Sequence, residues 1–156
     1  MPSKIRAVNL HRAYKLNERY ARNLAADILR MIGKANGAEL ELVFMDDKSI
    51  RRFNKKYRRE DRVTDVLSFG LYGKMPGRKA FLGEIMISLD TALRNSRIFG
   101  TDIAEEITLY IIHGILHLFG YDDGNPGDSR KMVKEQNRIL DRLCSCKNLS
   151  EVLMPR

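Results

Sequence analysis

The run His113-Gly114-Ile115-Leu116-His117-Leu118-Phe119-Gly120-Tyr121-Asp122-Asp123 restricts this chain more than any other segment. Four residues of α-helix advance by about 6 Å and return to nearly the same face, so His113 and His117 sit one turn apart, where two imidazole nitrogens can reach one metal ion. Glycine enters the left-handed region without a Cβ clash, so Gly120 can end the helix and let the chain turn back. Asp123 is then placed to bring a third donor to the same ion, with Asp122 as the alternative. Three protein donors and a fourth position left for water are the arrangement of a catalytic rather than a structural zinc, so hydrolysis is the natural chemistry. Zinc peptidases with this histidine spacing carry glutamate directly after the first histidine as general base. Here that position is Gly114, which argues against peptide cleavage.

The histidines belong to a long apolar helix that runs from the capping pair Asp102 and Glu105 through Leu118. Upstream, Ile5 to Leu10 reads as a strand. Asn17 opens a helix with Ala21, Leu24, Ala25, Ile28, Met31 and Ile32 on one face, stopped by Gly33. Leu40 to Met45 is a second strand, and Asp47 begins a short basic helix with Ile50 and Phe53 inward, ending near Tyr57. The charged stretch Arg58 to Arg62 reads as a loop, Val66 to Phe69 as a third strand, and Gly70 to Gly77 as a flexible surface loop. Phe81 to Ser88 is a buried strand, and Asp90 starts a short helix ending at Gly100. Asn125-Pro126 starts the last helix, with Met132, Val133, Gln136, Leu140 and Leu143 on one face. These elements predict an α+β fold: a small mixed four-stranded sheet packed with about five helices, including a zinc-hydrolase-like helix bearing histidines. Periodicity does not order the sheet.

A chain of 156 residues without an internal repeat or linker fits one domain spanning 1–156. Its net charge of +8 and pI near 9.7 favour a polyanionic partner, nucleic acid first. Cys144 and Cys146 match neither a redox nor a zinc motif and read as reduced thiols on a fraying tail. There is no apolar run long enough to span a bilayer and no signal-peptide segment, so a soluble cytoplasmic protein is expected.

Two further clusters stand out. Asn54-Lys55-Lys56-Tyr57-Arg58-Arg59 followed by Thr64-Asp65-Val66-Leu67-Ser68-Phe69 reads as a basic loop leading into a strand, where guanidinium groups could hold phosphate. The bland reading is a solvated charge run. In Gly83-Glu84-Ile85, the lone carboxylate could point to solvent or face a cleft. Taken in order, Asn54 to Phe69, Gly83 to Ile85 and His113 to Asp122 resemble the YbeY family.

The resemblance implies a metal-dependent endoribonuclease of single-stranded RNA, linked to 16S rRNA maturation and ribosome quality control, with rRNA and the small ribosomal subunit as partners. It implies one zinc ion held by His113, His117 and residue 123, and Arg58 as the catalytic residue serving the RNA, with Lys55, Lys56 and Arg59 beside it in substrate binding. The family's commonest third ligand is histidine, and this chain has Asp123. A carboxylate removes one unit of positive charge, weakens the ion as a Lewis acid and leaves manganese or another divalent ion open. Two other readings account for the metal motif: a noncatalytic, metal-stabilised RNA- or ribosome-binding protein, and a zinc hydrolase of small molecules.

Overall fold

The computed structural model describes residues 3–71 and 81–154. In chain order it contains β1 (Lys4–Asn9), α1 (Glu18–Met31), β2 (Ala38–Met45), α2 (Asp47–Arg58), β3 (Val66–Leu71), β4 (Phe81–Ser88), α3 (Leu89–Phe99), α4 (Ile103–Leu118), α5 (Pro126–Cys146) and a 3-10 turn, Leu149–Val152. The sheet order is β1-β2-β4-β3, with β1, β2 and β4 parallel and β3 antiparallel along β4, leaving β3 at an edge. This is the small mixed four-stranded sheet with five helices that the sequence predicts. Gly70 and Leu71 extend β3 beyond the expected strand; the rest of the Gly70 to Gly77 segment lies outside the described residues.

Strand residues alternate between two faces. The register places Ala7, Leu42, Ile85 and Ser68 in one row across the sheet, and Arg6, Glu41, Glu84 and Phe69 in the adjacent row on the opposite face. The first face builds the main core with α1, α4, α5 and the 3-10 turn. Helix α4 lies at its centre: Ile107, Ile111, Ile112, Ile115 and Leu116 are all buried, the condition of a helix apolar on most sides. Capping residues set the helix starts, with Asn17, Asp46, Ser88, Asp102 and Asn125 each accepting a backbone N–H of the first turn.

At the C-terminal ends of β1, β2 and β4 a polar network anchors α2. The His11 ring accepts the Ala13 N–H at Nδ1, which leaves Nε2 to donate to Asp90 Oδ1 at 2.8 Å. Asp90 Oδ2 accepts the Asp47 N–H, and the Asp47 carboxylate in turn accepts from Ser88, Thr91 and Arg94. Burial pushes the Asp47 carboxyl up, but these donors outweigh it and hold it below the usual carboxylate range. The start of α2 is thereby fixed against α3, and its far end, bearing Arg58, is carried across the sheet.

Two expectations for the C-terminal region are corrected. Val133 is 49 % exposed and Ile139 is fully buried in its stead, because the inward stripe of α5 runs Met132, Gln136, Ile139 and Leu143. Nor does the chain fray after the cysteines. Cys144 and Cys146 are free and exposed on the last turn of α5, and beyond them Leu149 and Val152 are buried while Leu153 bridges Leu16. The tail packs because it supplies apolar side chains to the main core.

On the opposite face α2 covers only part of the sheet, over a smaller cluster of Val43, Met45, Ile50, Leu67 and Met86. A groove of about 1100 Å³ remains open there, floored by Val43, Met45 and Met86 and walled by Phe53, Tyr57 and Phe69. Glu84 faces this groove, directly beside Glu41 of the neighbouring strand. Burial raises the Glu84 carboxyl above its ordinary value, and the Glu41 charge adds to the effect. A carboxyl that holds its proton more tightly folded than unfolded makes stability fall as pH rises through the ordinary glutamate range and up to the raised folded value. Thermal melts of Glu84→Gln should therefore lie above the parent at pH 7 and converge with it near about pH 4. A variant less stable than the parent at pH 7 would mean that the charge is compensated.

Candidate metal centre

Helix α4 presents His113 and His117 side by side, their ring centroids 5.1 Å apart and edge to face. His113 is the more enclosed. The buried Gln136 side chain of α5 gives its ring a polar neighbour, and Asp65, just ahead of β3, adds negative charge nearby. Burial pushes the His113 imidazole below the ordinary histidine value and the His117 ring adds to this, against the pull of Asp65, Gln136 and Asp123. The neutral imidazole that results is the form able to bind a metal.

The helix ends in a Schellman turn. Gly120, at φ +97°, donates its N–H to the His117 carbonyl at 3.3 Å, and the Tyr121 N–H reaches the Leu116 carbonyl at 3.1 Å. The chain then doubles back, bringing Asp123 Oδ1 to 3.9 Å from His117 Nε2. Asp122 serves its own turn, since its Oδ1 accepts the Asp123 N–H at 2.7 Å and the Gly124 N–H at 3.2 Å. Asp123 is thus the carboxylate that joins the histidines, and one donor atom from each of the three lies within 4.8 Å of the others. Two imidazole nitrogens and one carboxylate oxygen could hold a small divalent ion. Bond lengths of about 2.0–2.2 Å would draw such donors to roughly 3.5 Å apart, a contraction that half-exposed Asp123 is free to make on its turn.

Gly114 has a steric reason to be glycine. A Cβ built there would meet Ile85 Cγ2 at 2.6 Å and Ser68 Oγ at 3.2 Å, so the helix lies directly on the sheet. The Ser68 hydroxyl donates to the Gly114 carbonyl at 3.1 Å. Glutamate at this position would drive its side chain into buried Ile85. The fold accordingly excludes the peptidase base.

Arg58 approaches this region from the other side of β3. Its Nη2 donates to the Ser68 carbonyl at 3.0 Å and its guanidinium lies 5.6 Å above the Phe69 ring. Of the two readings of the basic run, the helix expected to end near Tyr57 holds and the loop leading into a strand does not: residues 54 to 58 form the last turns of α2, and Arg59 closes the helix in the left-handed conformation at φ 58°. Lysine and arginine are good helix formers, and cations at a helix C-terminus are favoured by its dipole. Lys55, Lys56 and Arg59 are exposed there, whereas Arg51 and Arg62 pair with Asp61 and Glu60. Asn54 is buried and ties the following loop down through the Arg62 carbonyl at 3.0 Å.

The structure brings His113, His117 and Asp123 together and links Arg58 to them through Ser68. It sets Glu84 on the opposite face of the sheet from α4. Sequence reasoning missed the support roles of Asp65, Ser68 and Gln136. A glutamine in the apolar stripe of α5 was the available signal, because a buried polar side chain needs a partner.

A sequence model of endoribonuclease YbeY matches residues 7–144. The chain belongs to the YbeY endoribonuclease family. Relatives named endoribonuclease YbeY include one from Anaeromyxobacter dehalogenans, 42% identical over 121 residues, covering 78% of this chain and 62% of the relative. Another, from Aquifex aeolicus, is 43% identical over 109 residues, covering 69% of this chain and 72% of the relative. The chain thus spans less than two thirds of the Anaeromyxobacter relative. The solution structure of a Thermotoga maritima protein superposes with a TM-score of 0.62 at 26% identity, covering 90% of this chain and 89% of that one. Among the described residues no helix is long and apolar enough to cross a membrane.

Gly114→Ala gains helix propensity of about 1 kcal/mol but forces a methyl into a packed core, which typically costs about 1–3 kcal/mol. Ile85 is fully buried on a central strand and has little room to give. The variant should unfold about 1–2 kcal/mol more easily than the parent in urea titration. A more stable variant would show that the helix can lift off the sheet.

Proposed function

We propose that residues 1–156 form one metal-dependent endoribonuclease domain that cuts single-stranded RNA. It would act in the cytoplasm on 16S rRNA during maturation and in ribosome quality control, with the small ribosomal subunit as partner. The convergence of His113, His117 and Asp123 beside the strand edge that Arg58 clasps carries this reading. Family membership and the net charge of +8 support it.

Zinc suits two imidazoles and a carboxylate, with manganese or another divalent ion the alternative. Bound there, the ion would supply Lewis acidity toward a phosphodiester and lower the pKa of water, less strongly than with a third histidine. Gln136 would steady the His113 ring for this, and Asp122 holds the turn that presents Asp123. Arg58 would leave the Ser68 carbonyl to pair with the scissile phosphate, where a guanidinium stabilises growing negative charge. Lys55, Lys56 and Arg59 would hold flanking phosphates, an attraction that weakens as salt rises.

Arg58→Ala should lower the rate of single-stranded RNA cleavage by about 100-fold or more, the usual loss on removing a charge-stabilising donor. Its melting temperature should change little, because the side chain is exposed. Cleavage at the parent rate would reduce Arg58 to a clamp on the strand edge. Elemental analysis after dialysis should find about one divalent ion per parent chain and little in Asp123→Ala. Near-stoichiometric metal in that variant would remove Asp123 from the ligand set.

A further inference from the structure

The groove on the open face of the sheet plays no part in the metal centre, yet it adjoins it. Phe69 and Ser68 are neighbours on edge strand β3: Phe69 walls the groove, and Ser68 bonds the Gly114 carbonyl on the opposite face. Arg58 touches both, with its guanidinium over the Phe69 ring and a hydrogen bond to Ser68. A strand of RNA held by Arg58 therefore has its next residues at the mouth of the groove.

The groove carries aromatic rings interleaved with cations. Phe53 and Tyr57 lie nearly parallel, 5° between planes and 6.1 Å between centroids, and Phe69 meets Tyr57 edge-on at 5.4 Å. Tyr57 is the outermost ring, 53 % exposed, with Lys56 Nζ 5.2 Å from its centroid. Exposed rings flanked by lysine and arginine are a stacking platform for unstacked bases, with the cations following the backbone. The charges divide in the same sense. Lys56 and Arg58 lie against the Tyr57 and Phe69 rings, and the far end of the groove adds Lys4 and Arg6, while Glu41 and Glu84 between them would repel a phosphate but can accept N–H donors from a base edge. Glu84 and Glu41 stand side by side in paired register on adjacent strands, so the two carboxylates face the groove together.

We propose that this groove is a base-binding subsite for the RNA: an unstacked base lies against Tyr57 and Phe69, and Glu84 accepts hydrogen bonds from bases that bear an amino group. The proposal rests on the reading of the chain as an RNA-cutting enzyme. It predicts preference for cytosine over uracil at the nucleotide seated there, because the N4 amino group of cytosine donates to the Glu84 carboxylate where uracil would set its O4 acceptor against it.

Single-turnover cleavage by the metal-loaded, full-length chain tests this, with labelled 12-nucleotide oligomers of cytidine or uridine as probes and an abasic ribose-phosphate oligomer as competitor. Tyr57→Ala should raise the half-saturating concentration for oligocytidine about tenfold, with the loss falling there rather than on the limiting rate. Tyr57→Phe, which keeps the ring, should restore parent behaviour, and the abasic competitor should bind parent and Tyr57→Ala alike. Glu84→Gln should narrow the gap between cytidine and uridine. Unchanged half-saturation in Tyr57→Ala, beside a parent that cleaves, overturns the subsite and leaves the enzyme reading intact. A parent that neither binds nor cuts either oligomer overturns the enzyme reading itself.

Discussion

The direct seating of α4 on the sheet at Gly114 is the contact on which the rest of the molecule depends. No side chain separates the helix from Ile85 and Ser68 at that point. The close approach lets the Ser68 hydroxyl reach a helix carbonyl beside His113. It also accounts for what the site lacks. The residue after the first histidine faces the sheet, so it can be neither a general base nor any other reactive group. Whatever chemistry the centre performs must come from groups at its margin, and those margins are β3, the turn after Gly120 and the start of α5.

Strand β3 is consequently more than an edge. Among the described residues it pairs with β4 alone, so its outer carbonyls are open to a side chain, and Arg58 takes the one at Ser68. One face of the strand meets the histidine helix and the other meets the aromatic groove. Helix α2 delivers Arg58 because its first turn is pinned by Asp90 and by the ligands of Asp47, some three helical turns away.

The helices and their faces were legible from sequence because caps and apolar spacing are local signals. Asn17, Asp102 and Asn125 start helices where their side chains can accept a first-turn N–H, and Gly33, Gly100 and Gly120 follow helix ends at positive φ. The histidine pair and its acid partner were legible for the same reason: all three lie in the last turns of one helix and the short turn that follows its C-cap. Sheet order was not, since it depends on contacts between distant strands. The basic helix was legible to near Tyr57 from Ile50 and Phe53, and the rival reading of residues 54 to 59 as a loop arose because charge is a poor guide to helix in a stretch whose anchor, Asn54, is a single buried polar residue. Val133 was placed inward since it is apolar, although α5 turns it away and uses Ile139. The orientation of Glu84 depended on the register of β2 against β4, which no local pattern reveals.

The Schellman turn has a consequence for how such a centre can vary. Two of its donors are half-buried on a helix whose other faces are packed in the core. The third rides on a turn held by backbone hydrogen bonds and by Asp122, with about half of its own side chain in water. Residue 123 is therefore nearly free of packing obligations. Imidazole and carboxylate can exchange there, changing the electrical character of the centre by a full unit of charge while the scaffold registers almost nothing. The fold thus keeps the part that holds the centre separate from the part that tunes it, and this chain carries the acidic setting.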